Sequence, residues 1–374
     1  MFEVLGIVLF VFGIVLSLCL HEAGHLVAAR AFGMRVTRFF VGYGRTLWAF
    51  RRGEIEYGVK AIPAGAFVSI VGMVRQFDDT DDEPRAMWRF PAWKRTVVMG
   101  AGVAVNVVFG VVLIWGMFAF TPLPDESRLQ SEPVRVAAVG ESSAAARLGL
   151  RPGDVITALD GREVRGWDAF TASVRASGGR TLQISYERDG AARTGAVRIP
   201  VVDRAGQLGV SAEVPRTTAG PIRAVGATAD QTATMIGGTF TALVHLPERI
   251  PAVWRSLTGD ERDPESPLSM VGASHVGGQL ADRGDWPSFL LMLAGLNFFL
   301  AAFNLLPLLP LDGGHITIVW FERTRSWLYG RLRRPDPGSV DYYKLAPLTV
   351  AAILLFAAFT LLTVAADLVN PVLL

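Results

Sequence analysis

Leu16-Ser-Leu-Cys-Leu-His21-Glu22-Ala-Gly-His25-Leu-Val-Ala-Ala-Arg30 closes an uncharged apolar run that begins at Val4. About 17 residues of helix cover roughly 25 Å, nearly a bilayer core, so the stretch reads as a membrane-spanning helix. On that helix His21 and His25 stand at i and i+4, so both imidazoles project from one face and can grip one metal ion, with Glu22 beside them. Ionisable groups at membrane depth are expensive and default to function. Only Glu3 precedes the run, and no small-residue cleavage site follows it, so a retained helix is expected rather than a signal peptide.

Composition points the same way. The chain has 374 residues, of which 51% are apolar, and a mean hydropathy of +0.36. That is too apolar for an ordinary soluble protein and is the profile of a polytopic membrane protein. A formal charge of +2 gives no basis for nucleic-acid binding. The single cysteine, Cys19, excludes an intrachain disulfide and reads as a small buried hydrophobe.

Three further apolar runs qualify as spans: about Val97 to Phe120, Phe289 to Leu311 and Leu345 to Leu368. Twelve Lys or Arg lie from Arg30 to Arg95, and the segment after His315 holds Arg323, Arg325, Arg331, Arg333 and Arg334. The positive-inside rule puts both segments inside and the N-terminus outside. The first and third spans then run the same way, which brings His21, Glu22 and His25 to a depth similar to that of Asp312, near the cytoplasmic face.

The expected fold is a polytopic α-helical membrane protein of about four transmembrane helices, with a membrane-associated β-hairpin or sheet and an inserted extracytoplasmic α+β domain. The expected boundaries are 1–33 for the first span, 34–92 for a cytoplasmic β region and loop, and 93–121 for the second span. Residues 122–215 form the inserted domain and 216–285 an extracytoplasmic amphipathic segment. Residues 286–315 are the third span, 316–343 a cytoplasmic loop, and 344–374 the fourth span with a tail. In the β region, Phe40-Val-Gly-Tyr-Gly-Arg45 supplies two glycines, and Glu54 to Ile62 alternates at period two before Pro63 and Gly65 break it. The Asp-rich stretch from Gln76 to Arg85 reads as a solvated loop. In the inserted domain, strands are expected over 134–139, 181–187 and 192–201, and helices over 142–149 and 167–177. Together with Gly149-Leu-Arg-Pro-Gly-Asp-Val-Ile156, this order resembles a PDZ domain, a fold that accepts an extended peptide along a sheet edge.

The third span contains Asn297 and closes with Asn304-Leu-Leu-Pro-Leu-Leu-Pro-Leu-Asp312-Gly-Gly-His315. Two prolines three apart forbid a regular helix, and broken backbone at membrane depth is tolerated only where protein or a wet cavity receives it. A catalytic zinc takes three protein ligands and leaves a fourth position open, so His21 and His25 need one more. Asp312 is the favoured candidate and His315 its rival. Asn304 can offer its amide to a substrate carbonyl or satisfy freed backbone.

The paired motifs, in this order and with a PDZ-like insert between them, resemble the site-2 protease family of intramembrane zinc metalloproteases, in particular a bacterial, actinobacterial-like branch with one PDZ domain. The resemblance extends to Phe40-Val-Gly-Tyr-Gly44 and Ile62-Pro-Ala-Gly65. It implies that His21, His25 and Asp312 bind Zn2+, that Glu22 is the general base and that Asn304 helps to hold substrate. Ala101-Gly-Val-Ala-Val-Asn106 lacks the proline that many members carry there.

The expected activity is zinc-dependent hydrolysis of peptide bonds within single-span membrane proteins, with anti-sigma factors or remnant signal peptides as substrate classes. A multi-pass protein of the plasma membrane, in contact with lipid, is implied. Pairing with the β region, where Tyr57, Val59 and Ala61 are candidate substrate contacts together with Asn297, would hold a substrate extended. The PDZ-like domain would take a peptide or exclude untrimmed substrates. Two other classes compete. A binding scaffold with structural zinc is disfavoured by Glu22, because a structural metal needs no base. A metal transporter is disfavoured by the absence of an inverted repeat in the sequence.

Overall fold

A computed structural model describes residues 2–74, 83–257, 262 and 266–373. The expected loop over Gln76 to Arg85 falls largely outside these residues. The chain divides into two compact units, residues 1–119 with 221–374, and residues 120–220.

Among the described residues of the larger unit, four helices are long and apolar enough to cross a membrane: α1 (Phe2–Ala31), α2 (Ala92–Phe120), a third at Trp286–Asn304 and a fourth at Tyr342–Val369. α1 makes its close approaches at small residues. A Cβ added at Gly13 would lie 2.7 Å from the Leu293 side chain, and one added at Gly24 would lie 2.7 Å from the Ala101 carbonyl oxygen. Phe10 and Ile14 of α1 are buried against Phe289 and Leu293. These contacts fix the rotation of α1, and with it the direction in which its histidines point.

Between α1 and α2 lie β1 (Val36–Arg52) and β2 (Ile55–Ile70), an antiparallel pair with an unusual register. Phe39 faces both Val68 and Tyr57, and Tyr57 faces both Phe39 and Phe50. Each long strand therefore folds back on itself, at Gly42 and Gly44 in β1 and around Pro63 and Gly65 in β2, where these three glycines have positive φ. The result is a four-stranded arrangement in the order 46–52, 55–60, 36–41, 66–70. The expected hairpin is thus a doubled one, and its edges are residues 46–52 and 66–70. Trp48, Leu47 and Ile62 are exposed, as suits an element in contact with lipid.

The smaller unit carries the expected PDZ-like order: β3 (Val134–Val139), α3 (Ala144–Leu148), β4 (Val155–Leu159), α4 (Trp167–Ala176), β5 (Thr181–Arg188), β6 (Ala191–Arg198) and β7 (Val210–Ala212). The sheet runs β7-β3-β4-β5-β6 around a core that includes Val136, Ile156, Phe170 and Ile184. Ser143 caps α3 by accepting from the Ala146 N–H at 3.1 Å, and Gly149 ends it in the left-handed region. Asp154, 1% exposed, pairs with Arg188 at 2.7 Å and accepts from the Arg151 N–H at 2.8 Å.

The remainder of the larger unit comprises α5 (Gly220–Val244), α6 (Leu246–Leu257), α7 (Met270–Asp282), α8 (Trp286–Asn304), α9 (Asp312–Arg331) and α10 (Tyr342–Val369). α7 packs closely along the N-terminal half of α1, with Gly277 against Phe10 and Gly278 against Ile7. It is buried among helices instead of lying at the surface, because its glycines leave room for α1. The third span stops as a helix at Asn304 and a new helix begins at Asp312. The segment expected as a loop from 316 onward is helical as far as Arg331.

Candidate metal centre

Three donors from the two ends of the larger unit converge. His21 Nε2 lies 3.1 Å from Asp312 Oδ2, His25 Nε2 lies 3.3 Å from the same oxygen, and the two imidazole nitrogens are 3.2 Å apart. All three residues are nine-tenths or more buried. Metal–ligand bonds of about 2.0–2.1 Å in a tetrahedron place neighbouring donors roughly 3.3–3.4 Å apart, so the triangle has the size a zinc ion needs.

The protonation pattern fits as well. His25 Nδ1 lies 2.8 Å from the Val98 carbonyl oxygen. A carbonyl only accepts, so Nδ1 carries the proton and donates it there, leaving the Nε2 lone pair facing Asp312. Asp312 Oδ2 is buried and has no hydrogen-bond partner among the described residues, although two imidazole nitrogens stand near it. Lone pairs aimed at one buried point repel unless a cation sits between them. The donor set therefore suits a divalent ion.

Local sequence explains how each donor arrives. The helical spacing of α1 stacks His21 over His25. Asp312 opens α9, and Gly313 and Gly314 let that first turn lie against the chain from Leu305 to Leu309: a Cβ on Gly314 would fall 2.6 Å from the Leu308 carbonyl carbon. The third wall is Gly102 of α2, where a Cβ would lie 2.5 Å from His25 Nε2 and 2.7 Å from His21 Nε2.

Glu22 belongs to the same cluster, with donor atoms within 4.8 Å of those of His21 and His25. Its Oε2 accepts the Val68 N–H at 2.9 Å. His315, the rival ligand, is buried beside the centre but faces Tyr342, with ring centroids 6.2 Å apart. Asn304 donates to the Leu300 carbonyl at 3.0 Å within its own helix. Asn297 is fully buried and donates to Ser17 Oγ at 3.0 Å and to the Leu293 carbonyl at 2.8 Å, which braces α8 against α1 one turn before His21. Tyr57 and Val59 lie in an interior strand segment, paired on both sides, with Phe39 and Phe50 and with Val41 and Trp48 respectively. As points for adding a strand they are closed. Ala61 is exposed near the turn.

Sequence reading missed three contributors: Gly102, the Val98 carbonyl and the Val68 N–H. Two are backbone groups with no side-chain signature. Gly102 and Asn106 sit in the Ala101 to Asn106 stretch at i and i+4. Asn106 is 1% exposed, and both atoms of its amide lack partners among the described residues.

Residues 9–332 match the model of peptidase family M50. Zinc metalloprotease Rip1 of Mycobacterium tuberculosis is 39% identical over 406 residues, covering 100% of this chain and 99% of that protein. The protein of the same name from Mycolicibacterium smegmatis is 39% identical over 398 residues, covering 98% of each. Among solved structures, the PDZ domain of the SdrC-like protein Lmo2051 from Listeria monocytogenes aligns at 23% identity and a TM-score of 0.21, over 22% of this chain and 87% of that one.

Proposed function

The chain belongs to peptidase family M50, the site-2 protease family of zinc metalloproteases, and from that premise we propose that it cleaves transmembrane segments of single-span membrane proteins within the bilayer. The observation that carries the proposal is the meeting of Asp312 Oδ2 with the two Nε2 atoms of a membrane-spanning helix, at 3.1 and 3.3 Å. His21, His25 and Asp312 hold the zinc. Zinc bound there supplies Lewis acidity toward water and toward a peptide carbonyl. Glu22 takes the proton of the attacking water on its carboxylate and passes it to the departing amine. Val98 keeps the His25 ring in the tautomer that ligation requires.

A substrate helix hides its carbonyls in its own hydrogen bonds, so it must be drawn out before attack. Pairing along an edge of the β1–β2 sheet would hold it extended, with Ala61 and Asn304 as candidate side-chain contacts. The basic segments flanking the spans support a plasma-membrane orientation with the centre near the cytoplasmic face. The PDZ-like unit would then stand outside, where it takes a peptide or screens out substrates with bulky outer domains. Anti-sigma factors and remnant signal peptides are the substrate classes this reading favours.

The test is cleavage of a single-span substrate by protein reconstituted with lipid and zinc. Glu22→Gln is expected to lower the rate at least a thousandfold while retaining metal. Cleavage retained by the zinc-loaded variant would overturn the mechanism.

A further inference from the structure

The two halves of α9 differ. Its start, from Asp312 to His315, is buried at the candidate centre, whereas its second half turns apolar side chains away from the protein. The packed side of that half is polar. Glu322 meets Arg95 at 3.4 Å and accepts the Val340 N–H at 2.8 Å, Arg325 donates to the Gly338 carbonyl at 2.6 Å, and Ser326 donates to Asp336 at 3.0 Å. The opposite side carries Trp320, Phe321, Trp327 and Leu328, at i, i+1, i+7 and i+8, which is one helix face. Phe321 and Trp327 are each 55% exposed. Charge follows the same division. Residues 316–340 hold five arginines and two acids, and both acids, Glu322 and Asp336, are engaged in the contacts just given. Arg323, Arg331, Arg333 and Arg334 are exposed, and Arg331 lies over the Trp327 ring, 5.1 Å from its centroid. The level of this face is fixed by α2: the Trp320 indole N–H is donated to Thr96 Oγ1 at 3.0 Å, close to where α2 begins. From Trp320 onward α9 therefore lies where that span ends.

From this we infer that the outward face of α9, with the arginines that follow it, docks on a bilayer surface that contains anionic phospholipid. Trp320, Phe321, Trp327 and Leu328 enter the zone between headgroups and acyl chains, and the arginines meet the lipid phosphates. An apolar face alone would suit neutral lipid or a second copy of this chain equally well. The unpaired excess of arginine on and around it selects an anionic surface. The docking does not depend on the chain's being a protease. It matters to the centre all the same, because α9 is one uninterrupted helix from Asp312 to Arg331. Lipid that holds its outer half also holds the helix that presents Asp312.

The experiment uses the full chain in nanodiscs of phosphatidylcholine alone or with about one third phosphatidylglycerol, read by amide hydrogen exchange over residues 320–334. Exchange there is expected to be about fivefold slower in the anionic discs, and high salt should remove the difference by screening. Arg323→Gln, Arg331→Gln, Arg333→Gln and Arg334→Gln combined should exchange alike in both discs. Trp327→Gln with Leu328→Gln should lose the protection that the parent gains from anionic lipid. Circular dichroism in detergent, matched to the parent, establishes that each variant is folded. Equal exchange of the parent in the two kinds of disc would overturn the inference, as would undiminished protection in the four-arginine variant. The same slowing by soluble glycerol phosphate added to neutral discs would make this a site for free phosphate and overturn it too. Slowing that rises with protein concentration in detergent would give the face to a second copy, with the same result.

Discussion

The Nδ1–H of His25 is donated to the Val98 carbonyl at 2.8 Å, and that one bond decides what the opposite nitrogen can do. With Nδ1 committed, Nε2 presents a lone pair toward Asp312, and α2 becomes part of the centre without contributing a side-chain donor. The dependence on α2 can be tested at Gly102. Gly102→Ala would bring a methyl group within 2.5 Å of His25 Nε2, and zinc content of the purified protein is expected to fall at least tenfold. Metal analysis alongside a thermal melt checks this, because the variant should lose metal at temperatures where its helical signal persists.

The rival ligands separate cleanly. Asp312→Ala removes the oxygen shared by both histidines and is expected to weaken zinc binding by more than a hundredfold. His315→Ala, which removes a ring facing Tyr342, should leave the stoichiometry near that of the parent. Competition against a zinc chelator of known affinity reads both. Normal metal retention by Asp312→Ala would move the third ligand elsewhere.

Asn297 is a brace in this structure. Asn297→Ala removes the hydrogen bond to Ser17 Oγ and should cost about 1–2 kcal/mol, the usual loss for a buried polar contact. A lower unfolding temperature in mild detergent, with zinc stoichiometry retained, is the expected outcome. Loss of substrate affinity at unchanged stability would restore the role as a substrate contact.

The smaller unit has its own pH dependence. The Arg188 guanidinium beside Asp154 holds its carboxyl below the usual carboxylate range. Because the folded value is depressed, the stabilisation is present above the unfolded value of about 3.9 and is lost as pH falls through the folded one. Asp154→Asn should lower the stability of this unit near neutral pH, since it removes the carboxylate that pairs with Arg188. It should also flatten the acid limb of the unfolding curve, followed by Trp167 fluorescence. An acid limb that persists unchanged in the variant would assign that dependence to other carboxylates.

Much of this was legible from local pattern. The motif on α1 and the proline-broken stretch before Asp312 announce themselves through spacing and depth, and the strand at 134–139 and the cap at Ser143 follow from alternation and side-chain chemistry. The doubling of the hairpin was not legible, because period two marks a strand without saying how many neighbours it has. The helical stretch from 316 to 331 reads as a loop in the sequence because its many arginines carry a strong topological signal that says nothing about backbone conformation. The Val98 carbonyl and the Val68 N–H were invisible for a simpler reason: every residue but proline carries such groups.

The proposed metal centre would draw its donors from α1 and from the start of α9, on either side of most of the chain. Ribosomes make the histidines early and the aspartate late, so a nascent chain threading into the membrane holds an incomplete centre until the third span has been inserted. On the proposed reading, a chain that stops before Asp312 would lack the third donor and could not form the centre.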